Sequence, residues 1–118
     1  MRKENMKRVE AVLRSLGLLG CFVCMRQMSL AVVLAHENGT LLTNVTKGLY
    51  PAVAEQCNGT NGKAVERNLR SARDTIWMQS GPERIRSILG VPVLLKPTTG
   101  ELVDMICYYM EYNGLFCD

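Results

Sequence analysis

The sequence contains very few of the residues on which most enzymes depend. Its only histidine is His36, although histidine supplies most general bases and many zinc ligands. Aromatic residues make up only 6% of the chain. We find no nucleophile with a plausible base, no phosphate-binding loop and no close acidic pair in an expected cleft. We therefore predict that the protein is not an enzyme and has no cofactor.

Long hydrophobic runs are also missing. No apolar run reaches the roughly 18 residues that a membrane-spanning helix needs. A basic start (MRKENMKR) precedes an apolar region as in a secretory leader, but Glu4, Glu10 and Arg14 interrupt it, and Arg26 divides the apolar run. Three Asn-x-Thr sequons are weak matches of three residues each. We expect a cytoplasmic chain without a membrane partner.

The five cysteines do not form a recognisable framework. An odd number argues against a closed set of disulfides. Cys21 and Cys24 form one C-x-x-C, but Cys107 and Cys117 are ten residues apart, whereas structural zinc sites usually combine two close pairs. We predict reduced, mostly buried thiols and no metal.

The remaining composition is that of a folded domain. The chain has 118 residues, of which 47% are hydrophobic and 21% charged, so it can bury a core. This length corresponds to one domain, which we assign to residues 1–118. The net charge of +3 is compatible with a polyanionic partner without indicating one.

Apolar residues recur at helical spacing through most of the chain, which predicts an all-α fold. Residues 18–25 are expected to cross the core as a connector, and residues 91–96 to be extended or irregular. Thr98 and Glu101 form a capping box at the start of the last helix. We expect six helices, over residues 3–16, 29–37, 46–57, 62–79, 82–89 and 98–112.

The third and fourth predicted helices form a distinctive pair. A short helix, the glycine-containing turn NGTNG and a longer helix with a basic face are typical of a helix-turn-helix. In such motifs the second helix lies in the DNA major groove. The apolar stripe that anchors this helix on the core consists of Val65, Leu69, Ala72 and Ile76.

The opposite face carries residues suited to DNA. Arg67 and Arg70 have the planar fork that meets guanine O6 and N7, and Glu66 can accept from the amino group of cytosine. Lys63 and Arg73, at the edges of the face, are suited to phosphates. The alternative is a merely solvated face, stabilised by intrahelical pairs such as Glu66 with Arg70.

Three segments resemble a known family. LTNVTKGLYPAVAEQCN, AVERNLRSARDTIW and KPTTGELVDMI are similar to the C-terminal effector domain of the sporulation-initiation response regulator of endospore-forming bacteria. That family shows a T-K-x-L-Y-P helix, then a helix that begins V-E-R and ends in Trp, then a K-P-T-x-x-E start to the last helix. The similarity extends from about Val9 to Met110, with the motifs in the same order.

The resemblance implies a six-helix fold with a central helix-turn-helix that binds short DNA boxes, often as tandem copies, and regulates transcription. It places Glu66, Arg67 and Arg70 against the bases and backbone. Ser71 departs from the histidine usual in the family. The residues that we expect to contact the DNA backbone are Lys47, Thr60, Lys63, Ser71, Arg73 and Lys96.

Two questions stay open at this point. The family's regulator carries a phosphorylated receiver domain, and no length for one precedes the first helix here. The chain is thus either a free-standing effector or a trimmed one. The rival function is a protein-interaction module that binds RNA polymerase, a sigma factor or a full-length relative without reading DNA. The apolar segment from Tyr108 to Phe116 packs either internally or on such a partner.

Overall fold

The fold is entirely helical. A computed structural model describes residues 1–117, and this range contains five α-helices and no strand. A 3-10 helix over Gly39–Thr43 and a π-helical turn over Val45–Leu49 link α2 to α3. The predicted all-α class is confirmed. The helices are α1 (Arg2–Ser15), α2 (Phe22–Glu37), α3 (Tyr50–Gln56), α4 (Gly62–Leu89) and α5 (Thr99–Tyr112).

The predicted number of six helices is wrong. The fourth and fifth predicted helices form one 28-residue element, α4, with a break at Gly81, where φ is 67° and ψ is 175°. Glycine alone adopts this conformation readily. Pro82 follows, where its fixed φ suits the start of a helical turn and its missing N–H is not needed. The Ser-Gly-Pro segment therefore bends the helix without inserting a loop.

Helix α2 begins earlier than the sequence indicates. It starts at Phe22, inside the expected connector, whereas the prediction placed its start at Ser29. Cys21 is the N-cap, and its Sγ accepts a hydrogen bond from the Cys24 backbone N–H at 3.3 Å. Helix α2 is buried on nearly every side, so its sequence carries no clear helical periodicity.

Helix α2 forms the centre of the core. Helices α1, α4 and α5 pack against it, and the short α3 packs on both α2 and α4. Each of the four longer helices contributes fully buried side chains, including Leu13 of α1, Met28 of α2, Ile76 of α4 and Ile106 of α5. This arrangement holds α4 against three helices, α2, α3 and α5.

The start of α5 is built as predicted. The Thr98 hydroxyl accepts from the Glu101 backbone N–H at 3.1 Å, and the Glu101 carboxylate accepts from the Thr98 backbone N–H at 2.8 Å. Residues 91–96, just before, contain neither helix nor strand, also as predicted. Among residues 1–117, no helix combines the length and hydropathy needed to cross a bilayer.

Candidate nucleic-acid interface

The candidate interface begins with the turn between α3 and α4. Residues 57–61 form this turn, and Asn61 caps α4 by accepting from the Ala64 backbone N–H at 2.9 Å. The predicted apolar stripe of α4 is confirmed, because its four side chains are fully buried. The stripe fixes the rotation of the helix about its axis. The opposite face of the N-terminal half of α4 therefore faces solvent.

This outer face carries exposed cations. Lys63, Arg67 and Arg70 are exposed, and Glu66 is half-buried between them. The Arg70 guanidinium donates to the Glu66 carboxylate at 2.9 Å, which is the intrahelical pair expected under the alternative of a solvated face. Lys63 and Arg67 make no side-chain hydrogen bond or ion pair with any other residue of the described range. Two cations of the face are therefore available to a ligand without breaking an internal contact.

A second charged group lies further along α4. Asp74 pairs with Arg73 at 2.9 Å and with Lys96 at 2.6 Å, and Arg73 Nη1 also donates to the Pro97 carbonyl at 3.5 Å. The Lys96 ammonium and then the Arg73 guanidinium hold the pKa of the Asp74 carboxyl below its usual value. Only 18% of the Arg73 side chain is exposed. This group ties α4 to the segment that leads into α5.

Three other predicted DNA-contact residues come from separate segments of the chain. Lys47 lies in the π-helical turn and Thr60 in the turn before α4, while Ser71 lies on the exposed side of α4 itself. A shallow cleft of about 410 Å³ separates the π-helical turn and α3 from α4, and Lys63 and Glu66 line it. The cleft thus places side chains of the π-helical turn and of α3 beside the start of α4.

Tyr50 was missed as a candidate, although it lies beneath this cleft. Its ring is buried, and burial raises the pKa of its phenol. The buried ring anchors the short helix α3, which packs on α4. The Leu-Tyr-Pro motif was the signal that could have identified it.

The cysteines agree only in part with the prediction of buried thiols. No disulfide links the five cysteines, all of which lie in the described range. Cys24 and Cys107 are buried and Cys57 and Cys117 partly so, but Cys21 is exposed. Most of the thiols are thus buried or partly buried, and the exposed one, Cys21, lies at the start of α2.

Three side chains lie close enough together to be considered as metal ligands, although no metal was expected. His36, Cys107 and Glu111 have their potential ligand atoms within 4.8 Å of one another. His36 Nδ1 lies 2.8 Å from the Glu111 carboxylate, and burial, then Glu111, raise the pKa of the Cys107 thiol to about 12. Metal ligation requires the thiolate, so this environment disfavours Cys107 as a ligand.

Together these features define a small all-helical domain in which a short helix and a turn support a longer helix with a basic outer face. Residues 9–110 match the family described as Sporulation initiation factor Spo0A C terminal, which leaves eight residues unmatched at each end. The chain belongs to this family, and the resemblance noted in the sequence is confirmed. The family comprises DNA-binding domains of sporulation transcription factors and is not a family of enzymes.

Proposed function

We propose that this chain binds double-stranded DNA in a sequence-specific manner, with α3, the turn and α4 acting as a helix-turn-helix. The observation that carries the proposal is the exposed basic face of α4, which is anchored on its other side by a fully buried apolar stripe. An α-helix with its side chains is about 10–12 Å across and fits a major groove roughly 12 Å wide. In this role the protein regulates transcription through this effector-type domain.

The N-terminal half of α4 supplies the residues that read bases. Arg67 has no internal partner to give up, so its guanidinium can reach guanine O6 and N7 at the groove floor. Glu66 and Arg70 act as a pair, because their bond holds both side chains on the same face. A carboxylate so placed can accept from a cytosine amino group while the arginine contacts the neighbouring base or phosphate.

The DNA backbone is held at the edges of this face. The start of α4 directs unpaired backbone N–H groups outward, and such helix ends attract phosphates. Arg73 and Lys96 share their charge with Asp74, so we expect them to contribute less than Lys63. The proposed backbone contacts are Lys47, Thr60, Lys63, Ser71, Arg73 and Lys96.

A protein-interaction role is the second candidate, favoured by one other surface. A groove of about 780 Å³ between α1 and α2 has an apolar wall, and Phe22 at its side is 79% exposed. By contrast, Met110 at the chain end is buried, and Leu115 and Phe116 pack against the core. RNA polymerase, a sigma factor or a second copy bound in tandem on DNA are the proposed protein partners.

We expect the purified protein to bind a selected duplex more tightly than a scrambled duplex of equal length. The preferred box is first recovered from a random DNA pool, and both affinities are then measured by fluorescence anisotropy at one fixed salt concentration. Binding should weaken steeply as salt rises, because cations that neutralise phosphates release counterions. Equal affinities for the two duplexes would leave only charge attraction and would refute specific readout.

We expect Glu66→Ala to weaken binding to the selected box and to strengthen binding to the scrambled duplex. The change removes an acceptor from a base and also a negative charge that phosphates repel. Glu66→Gln is the matched control, because it removes the charge but keeps an acceptor oxygen. The glutamine variant should bind the selected box more tightly than the alanine variant does. A uniform gain on both duplexes with Glu66→Ala would mean that Glu66 does not face a base.

A further inference from the structure

Two thiols meet at the start of α2. Cys21 caps the helix and is exposed, whereas Cys24 lies in the first turn and is buried. The Cys24 backbone N–H donates to Cys21 Sγ at 3.3 Å, which holds the Cys21 side chain over the helical turn that carries Cys24. A C-x-x-C motif at a helix N-terminus is the arrangement in which cysteine pairs are redox-active.

Cys21 and Cys24 differ in accessibility and in protonation, as the two thiols of a reactive pair must. Burial, followed by the neighbouring Cys21 side chain, raises the pKa of the Cys24 thiol to about 12. Cys24 therefore stays protonated while Cys21 is accessible to a reagent.

The surroundings of Cys21 favour an anionic reagent. Cys21 lines the groove between α1 and α2, which has an apolar wall next to a basic rim. Glu10 is the acidic residue that lines the groove, and Arg14 approaches it at 3.9 Å. Glutathione disulfide carries several carboxylates, so this rim attracts it. The basic side chains that line the groove are Arg2, Lys3, Lys7, Arg14 and Arg26.

We propose that Cys21 and Cys24 form a redox-active dithiol that closes reversibly to a disulfide in exchange with a small anionic disulfide such as glutathione disulfide. The Cys21 thiolate attacks one sulfur of glutathione disulfide, breaks its S–S bond and releases one glutathione thiolate. Cys24 then loses its proton, and its sulfur attacks that of Cys21 and releases the second glutathione. The protein loses two electrons and two protons, and glutathione disulfide gains them.

The dithiol is tested on the full chain. Reduced protein is equilibrated with increasing ratios of oxidised to reduced glutathione and denatured in N-ethylmaleimide, and its mass is measured intact and after proteolysis. We expect the peptide containing Cys21 and Cys24 to lose both maleimide groups as a disulfide forms, without retaining glutathione. Treatment with dithiothreitol before the maleimide should restore the labelling of both cysteines. Cys57, Cys107 and Cys117 should remain labelled under the same conditions.

Three variants separate the pair from a single reactive thiol. In Cys24→Ser, glutathione should stay attached to Cys21, because no second thiol displaces it; Cys24→Ala repeats this test if serine disturbs the buried site. In Cys21→Ser, Cys24 should remain labelled, and Cys57→Ser should behave as the unchanged protein. Glutathione retained on Cys21 of the unchanged protein, a disulfide between other cysteines, or no reaction would each overturn the proposal. These outcomes do not depend on DNA binding.

Discussion

Arg67→Ala is expected to lower the affinity for the selected duplex by about 5- to 150-fold, which corresponds to a loss of about 1–3 kcal/mol. The exposed Arg67 guanidinium has no partner within residues 1–117, so its removal breaks no internal contact. The loss therefore reports the missing contact with a base. Affinity for a scrambled duplex should fall far less, so discrimination at one base pair should relax.

Lys63→Ala is the matched control for this result. Lys63 is equally exposed to solvent but lies at the first turn of α4, where we expect a phosphate contact. Its removal should weaken binding to all duplexes alike and reduce the slope of log affinity against log salt by about one unit. If Arg67→Ala instead produced this uniform loss with unchanged discrimination, Arg67 would have to be reassigned to the backbone.

The second large effect concerns the anchoring of α4. Leu69→Ala is expected to lower the free energy of unfolding by about 2–5 kcal/mol, because a fully buried leucine loses its transfer free energy and leaves a cavity. Small domains are stable by only about 5–15 kcal/mol. The change should therefore shift the midpoint of urea denaturation strongly, as measured by circular dichroism.

Leu95→Ala provides the matched comparison, since Leu95 is 82% exposed in the segment before α5. The same chemical truncation should change the free energy of unfolding by no more than about 0.5 kcal/mol. Equal losses in the two variants would contradict the packing of α4 described above. A small loss in both would show that the stripe does not anchor the helix.

The sequence predicted best those elements whose ends carry local signals. The start of α5 follows from Thr98 and Glu101, whose reciprocal hydrogen bonds form within four residues. The start of α4 was predicted correctly because apolar residues recur at helical spacing between charged ones. Both signals are local, and neither depends on contacts with distant parts of the chain.

Elements without such local signals were predicted less well. The start of α2 was missed because an all-apolar helix shows no face, and cysteine is not a typical cap. The π-helical turn over Val45–Leu49 was taken as α-helix, since a single turn of five residues is too short to reveal a different period. The count of six failed because a glycine–proline pair can either separate two helices or bend one.

The candidate interface was predictable in its residues but not in its contacts. Helical periodicity placed Glu66, Arg67 and Arg70 on one face, where the structure also has them. The pairing of Asp74 with Lys96 joins residues 22 positions apart, and no local pattern indicates it. Tyr50 escaped notice because its burial depends on packing with distant parts of the chain and not on a local pattern.

The break at Gly81 has a consequence for which sequences can encode this fold. A Cβ atom added at position 81 would meet no other atom within 4 Å, so space does not limit this position. The backbone conformation limits which residues can occupy this position, because φ of 67° with ψ of 175° is accessible to glycine but to almost no L-amino acid. Its mirror-image conformation is the ordinary extended one. A D-alanine introduced at Gly81 by chemical ligation would therefore adopt this backbone conformation without strain, whereas the genetically encoded L-alanine would be strained.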